Sequence, residues 1–185
     1  MEALDALLNR VSTARLSDPA PTAAQRDVLF RAALRAPDHG QLRPWRFLTV
    51  EGEARQRLGT LFAETLQAKQ TEPRPEALDK ALAMPLRAPL LVVVVARLQD
   101  HPKVPRDEQL LAAGCAAHGL IQAAFAQGLG AIWRTGDFSY DRHVAAGLGL
   151  ADDERIIGFI YLGQVEGAFR TPPALAPEDF VSAWG

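Results

Sequence analysis

Residues 90–96 constrain this chain more than any other stretch: two leucines, four valines and an alanine in unbroken succession, bounded by Pro89 and Arg97. β-Branched side chains favour an extended backbone. A strand with no polar residue in either alternating set must be covered on both faces. The run is far too short to cross a bilayer. The chain therefore folds around a fully buried strand, and its other elements have to supply the covers.

Those elements can be read from periodicity. Leu4, Leu7, Leu8 and Val11 share one helical face, and the Asp18-Pro19-Ala20-Pro21 run breaks that helix. Thr22 followed three residues later by Gln25 is a capping-box pattern. It opens a helix carrying Val28, Leu29, Ala32 and Ala33 that ends before Pro37. A polar loop over 37–44 leads into a strand at 45–50. Helices follow at 53–70, with Leu58, Leu61, Phe62, Thr65 and Leu66 inward, and at 76–83. Beyond the buried strand, a polar loop precedes a long helix at 108–127. Its small residues (Ala112, Ala113, Gly114, Ala116, Ala117, Gly119) suit a central position or a subunit interface. A strand at 131–134, a short helix at 141–148 and a strand at 155–165 complete the body. The tail over 169–185 holds Pro172, Pro173 and Pro177 and is extended, with a turn at 178–184. Helices and strands mix without strict alternation, which is the pattern of an α+β or irregular α/β domain.

Length and charge set the outer bounds. A chain of 185 residues is one domain, able to bury a core without disulfides or metal. Net charge is −2, so the basic footprint of a nucleic-acid partner is missing from the chain as a whole. Seventeen of the twenty basic residues are arginine, whose planar fork suits phosphates and carboxylates. One cysteine, Cys115, excludes an internal disulfide and favours an intracellular place. The acidic N-terminus, with Glu2 and Asp5, is unlike a signal peptide. A cytoplasmic protein without membrane or nucleic-acid partners is the expectation.

Several chemistries are absent from the sequence. There is no G-x-G-x-x-G, no P-loop and no G-x-S-x-G around any of Ser12, Ser17, Ser139 or Ser182. His39, His101, His118 and His143 have no metal-ligand spacing, so no metal is expected. No obvious proton-transfer dyad remains, and a chain of this kind often leaves the hard chemistry to a cofactor.

Three constellations stand out. Arg10-Val11-Ser12-Thr13-Ala14-Arg15 places two guanidinium forks and a hydroxyl at a helix end, a cradle for phosphate or an ordinary solvated terminus. Arg35-Ala36-Pro37-Asp38-His39-Gly40-Gln41, followed by Pro44-Trp45, is a stiff polar loop before a strand. Gly128-Leu129-Gly130-Ala131-Ile132-Trp133-Arg134-Thr135-Gly136 ends a helix and starts a strand carrying an aromatic plane, a cation and a hydroxyl.

Taken in order, with Gly158-Phe159-Ile160-Tyr161-Leu162-Gly163 near the end, these segments resemble the nitroreductase family of FMN-dependent oxidoreductases, and within it the minimal NAD(P)H nitroreductase subgroup. The resemblance implies an α+β fold: a mixed, mainly antiparallel central sheet flanked by helices in three α/β/α layers. It implies one nitroreductase-like domain over 1–185, with an extended C-terminal arm from about 169, working as a homodimer. In that family Arg10, the backbone at Val11, and Ser12 would hold the FMN phosphate and ribityl chain. Arg35 and His39 would reach the flavin of the partner subunit, while Trp133, Arg134 and Thr135 would lie along the flavin or ribityl. NAD(P)H would lie against Ala123, Ala124, Phe125, Ala126, Gln127 and Gly128. Arg170 occupies a place where relatives carry a basic residue near the phosphate.

Val11 stands where the family has a second arginine, removing one charge-assisted contact worth about 1.5–3 kcal/mol. Relatives often place a lysine beside flavin N1–C2=O; this chain has only three lysines, so Arg134, Arg35 or Lys103 is the candidate, and Arg134 and Arg35 are the candidate electrostatic stabilisers. The implied activity is transfer of hydride or electrons from NAD(P)H through FMN to a nitroaromatic or quinone-like acceptor, by a ping-pong scheme. The alternative is a flavin-binding or flavin-handling protein on the same fold without NAD(P)H-driven turnover.

Overall fold

The apolar run forms the centre of the sheet. β1 (Leu16–Ser17), β2 (Trp45–Glu51), β3 (Leu90–Arg97), β4 (Gly130–Arg134) and β5 (Glu154–Val165) join in one five-stranded sheet. The structure, a computed structural model, describes residues 1–185. β3 lies between β2 and β5. β4 pairs with β5 from Gly130↔Gly163 to Arg134↔Phe159, and β1 pairs with the last residues of β5. Every pairing is antiparallel, so the mixed sheet expected from the family resemblance contains no parallel pair here.

Strand alternation explains why β3 has no polar residue. Leu90, Val92, Val94 and Ala96 enter a core with Leu29 and Ala33 of α2 (Ala23–Ala33) and with Ala113, Ala116, Ala117 and Leu120 of α5 (Arg106–Ala126). Leu91, Val93 and Val95 enter a second core with Leu58 and Phe62 of α3 (Ala54–Lys69), Ala81 of α4 (Pro75–Ala83) and Val144 of α6 (Arg142–Gly147). Each fully buried valine or leucine stabilises by about 1.5–3 kcal/mol relative to exposure. The result is the expected three-layer α/β/α stack.

The capping box forms: Thr22 Oγ1 accepts from Gln25 N–H at 3.2 Å, and Gln25 Oε1 accepts from Thr22 N–H at 2.9 Å. α5 is the central helix. Its small residues let α2 come close; a Cβ on Gly119 would lie 3.1 Å from the Ala32 carbonyl oxygen. By length and composition α5 could cross a membrane, but half of its apolar window is buried in this fold, as in a core helix.

Some local expectations change. α1 (Ala3–Asn9) buries only Ala6 and leaves Leu4, Leu7 and Leu8 exposed. Val11 lies beyond the helix and packs with Ala6 and Phe125, with Phe169 against them. The long helix begins at Arg106, two residues before the expected start. β1 has too short a pattern to be read in advance. The turn expected at 178–184 reduces to a 3-10 turn at Pro177–Asp179.

Candidate cofactor site

Two of the three constellations meet at β4. The chain leaves α1 at Asn9, and Arg10 is extended with φ −59° and ψ 129°. Val11 anchors the segment by burying its side chain. Two residues on, Thr13 N–H donates to the Ala131 carbonyl at 2.9 Å. The opening segment therefore runs beside the start of β4, and strand alternation turns the backbone groups of Trp133 to that same edge. Arg10 and Ser12 are half-buried.

Alternation also separates Trp133 from Arg134. Trp133 packs against the core shared with α5, and its indole N–H donates to the Ile157 carbonyl at 3.2 Å. That carbonyl belongs to a β-bulge: Val94 faces Gly158 and Val95 faces Ile156, leaving Ile157 as the extra residue. Gly158 is required there, because a Cβ would collide with the Trp133 indole. Arg134 lies on the other face, its guanidinium carbon 5.8 Å from the centre of the Tyr161 ring. Burial pushes the Tyr161 phenol above its usual pKa, and the nearby Arg134 and Arg87 oppose that rise. Thr135 is exposed, next to Gly136 with its φ of 96°.

The second constellation lies elsewhere. Asp38 Oδ2 accepts from Arg43 N–H at 2.6 Å, and Gly40, Gln41 and Arg43 all have positive φ, so the loop is held in a tight, strained turn. His39 Nδ1 sits 2.6 Å from Glu108 Oε2, at the first turn of α5. Val11 packs on Phe125, in the last turn of α5. Seventeen residues of helix separate Glu108 from Phe125, roughly 26 Å at 1.5 Å per residue. One chain thus brings the first and third constellations together at the start of β4 and keeps His39 away from the opening segment, while Trp133, at the far end of β4, lies against the N-terminal half of α5 near Asp107 and Gly114. Arg35 is exposed after α2.

The segment expected to meet NAD(P)H is divided. Ala124 and Phe125 are buried core residues. Ala123 and Gln127 are half-buried, and Gln127 Nε2 donates to the carbonyls of Ala123 and Gln25. Ala126 and Gly128 are exposed.

These residues suit a phosphorylated, hydrogen-bonding group. Arg10, Arg35 and Arg134 take part in none of the ion pairs, whereas Arg26, Arg31, Arg46, Arg57, Arg97 and Arg106 each face a carboxylate. Arg134 Nε is buried without a hydrogen-bond partner, a donor still open to a ligand. Sequence reasoning missed Glu108, Ile157 and Tyr161, the groups that hold His39, Trp133 and Arg134. Glu108 gives no local signal, since it is 69 residues from His39. The bulge at Ile157 follows only from register.

The family model for the nitroreductase family matches residues 7–164. The chain belongs to the nitroreductase family. Among its family relatives, the Escherichia coli (strain K12) protein named "Putative NAD(P)H nitroreductase YdjA" is 43% identical over 163 residues, 88% of each chain. A nitroreductase-like family protein from Bacillus cereus superposes with a TM-score of 0.80 at 23% identity, covering 100% of this chain and 97% of that one. A nitroreductase with bound FMN from Bacteroides fragilis gives 0.75 at 20% identity over the whole of both chains. The four motifs of this nitroreductase-family chain lie within the matched span, except for the arm that carries Arg170.

Proposed function

We propose that the chain is an FMN-dependent oxidoreductase that uses NAD(P)H to reduce nitroaromatic or quinone-like acceptors. The carrying observation is the Thr13–Ala131 hydrogen bond, which places the unpaired Arg10 and the half-buried Ser12 beside the edge of β4 where Trp133, Arg134 and Thr135 emerge. Family membership and the name of the Escherichia coli relative support the same reading.

Bound FMN would supply the two-electron chemistry between NAD(P)H and acceptor. Arg10 holds phosphate by charge and fork geometry, and Ser12 adds a hydroxyl contact. The buried Val11 fixes the backbone between them. Trp133, pinned to Ile157, stiffens the strand edge. Arg134 would offer bound flavin a fixed positive charge and an unpartnered N–H, the electrostatic support that a reduced flavin needs. Arg35 and His39 act on the site of a second copy: roughly 26 Å of helix separates the Glu108 end of α5, which holds His39, from the Phe125 end, which holds the Arg10 segment. Glu108 binds Nδ1 of His39 and so leaves Nε2 to face outward. The functional unit in this proposal is a homodimer of one-domain chains whose arm begins near 169. NAD(P)H approaches where Ala123, Ala126, Gln127 and Gly128 remain reachable. The exposed free thiol of Cys115 suits the cytoplasm.

The test is the visible spectrum of the purified protein before and after anaerobic NADPH or NADH. A flavin spectrum that bleaches with either nucleotide and recovers with a nitroaromatic is expected, as is loss of flavin in Arg10→Ala. A protein that neither carries nor takes up FMN would sink the proposal; one that keeps FMN unbleached would be a flavin-handling protein instead.

A further inference from the structure

β4 pairs only with the stretch Phe159 to Gly163, so the first residues of β5 have no strand on that side. The gap is a cleft of about 540 Å³ bordered by β5, α6 and the 3-10 turn Asp137–Ser139. None of its lining residues belongs to the proposed flavin set. Its walls are apolar: Leu98, Leu110, Ala145, Ile156 and Ile157.

The charges around it do not cancel. Asp141 already has Lys69 and the N–H groups of His143 and Val144. Glu154 already has Arg46, Arg97 and the Ala151 N–H. Arg142 has no carboxylate partner, and the Arg155 guanidinium donates only to the carbonyls of Asp152 and Glu154. Two lining cations are therefore uncompensated. Ser139, also in the lining, is 6% exposed, and its Oγ is buried with no hydrogen-bond partner. Apolar walls with surplus positive charge and an unused hydroxyl select an apolar anion.

We propose that this cleft binds an aromatic carboxylate of one or two rings, its rings against Leu110, Ile156 and Ile157 and its carboxylate at Arg142, with Ser139 as a second contact. The cleft adjoins the flavin cradle at Ile157, whose carbonyl holds Trp133, but shares none of the residues proposed to hold flavin, so it stands whether or not flavin binds.

Calorimetric titration of the full-length protein with 2-naphthoate tests this, on FMN-loaded and FMN-free samples. One molecule per chain is expected, with the same Kd in both samples. The neutral 2-naphthamide and the Arg142→Met variant should each weaken binding about tenfold, the scale of one partly exposed charge-assisted contact. Ser139→Ala, which removes only the hydroxyl, should weaken it a few-fold while circular dichroism stays native. Absence of naphthoate binding, equal binding of the amide, indifference to Arg142→Met or Ser139→Ala, or binding that requires or excludes FMN would each overturn the proposal.

Discussion

At the scale of single residues, the site depends on what lies behind its visible groups. Trp133 stands out in the sequence as an aromatic plane, yet its indole is held by the Ile157 carbonyl and pressed on Gly158. Gly158→Ala should therefore destabilise the protein by about 1–3 kcal/mol through overpacking. In the Trp133→Ala background, where the whole indole is gone and only the Arg134 carbonyl oxygen stays close, much of that cost should vanish. Urea unfolding of the two single variants and the double variant measures the coupling; an additive cycle would show that indole and glycine do not share the strain. Arg10, Ser12, His39 and Trp133 were legible because their motifs are local. Glu108, Ile157 and Tyr161 were not, because each reaches its partner only through strand register or helix packing. Strand period turns Trp133 and Arg134 to opposite faces of β4, a separation that the motif, which put both along the flavin, does not express.

At the scale of elements, β3 and the capped α2 were readable almost to the residue, since each rests on a dense local pattern. α1 was not: its leucine stripe predicted burial, and the chain buries Ala6 instead. β5 shows a different kind of anchoring. Its first residue, Glu154, is nearly buried and accepts from Arg46 at 2.5 and 2.6 Å, tying β2 to β5 across β3. The Arg46 hydrogen bonds hold the Glu154 carboxyl below its usual pKa against the opposing effect of burial. Burial would raise Asp141, but Lys69 and two backbone N–H groups outweigh it and lower that carboxyl as well. A depressed carboxyl contributes stability above its unfolded pKa and loses it as pH falls through the folded value. Stability should therefore drop as the solution is acidified below the ordinary carboxylate range. Glu154→Gln should lower stability at pH 7 by about 1–3 kcal/mol and flatten that acid decline. Urea midpoints measured from pH 7 down to pH 3 check both, and an unchanged slope in the variant would remove Glu154 from the account.

At the scale of the whole molecule, α5 acts as a ruler. It sets His39 at one end and the Arg10 segment at the other, so a complete cradle needs a second chain in the proposed arrangement. The surface agrees with that demand. Leu4, Leu7 and Leu8 on α1 and Leu111 on α5 are exposed, as are Phe180, Val181 and Trp184 in the arm. In the proposed dimer these side chains would supply the association surface. Sedimentation should show a species of twice the 20.1 kDa chain mass. Leu8→Glu together with Leu111→Glu should shift it toward the monomer and weaken FMN binding in parallel. A monomer that still binds FMN tightly would show that one chain suffices.

The two-sided burial of β3 also divides the molecule by how readily its parts open. Its amides are flanked by strands and roofed by helices, so water reaches them only when the sheet itself comes apart. The groups proposed to meet flavin lie on the outer edge of β4, in the 37–44 loop and on the opening segment, where each needs few contacts to break. If the proposed flavin site holds, the fold would admit and release its large planar guest by loosening its margins, while the centre keeps the register that re-forms them.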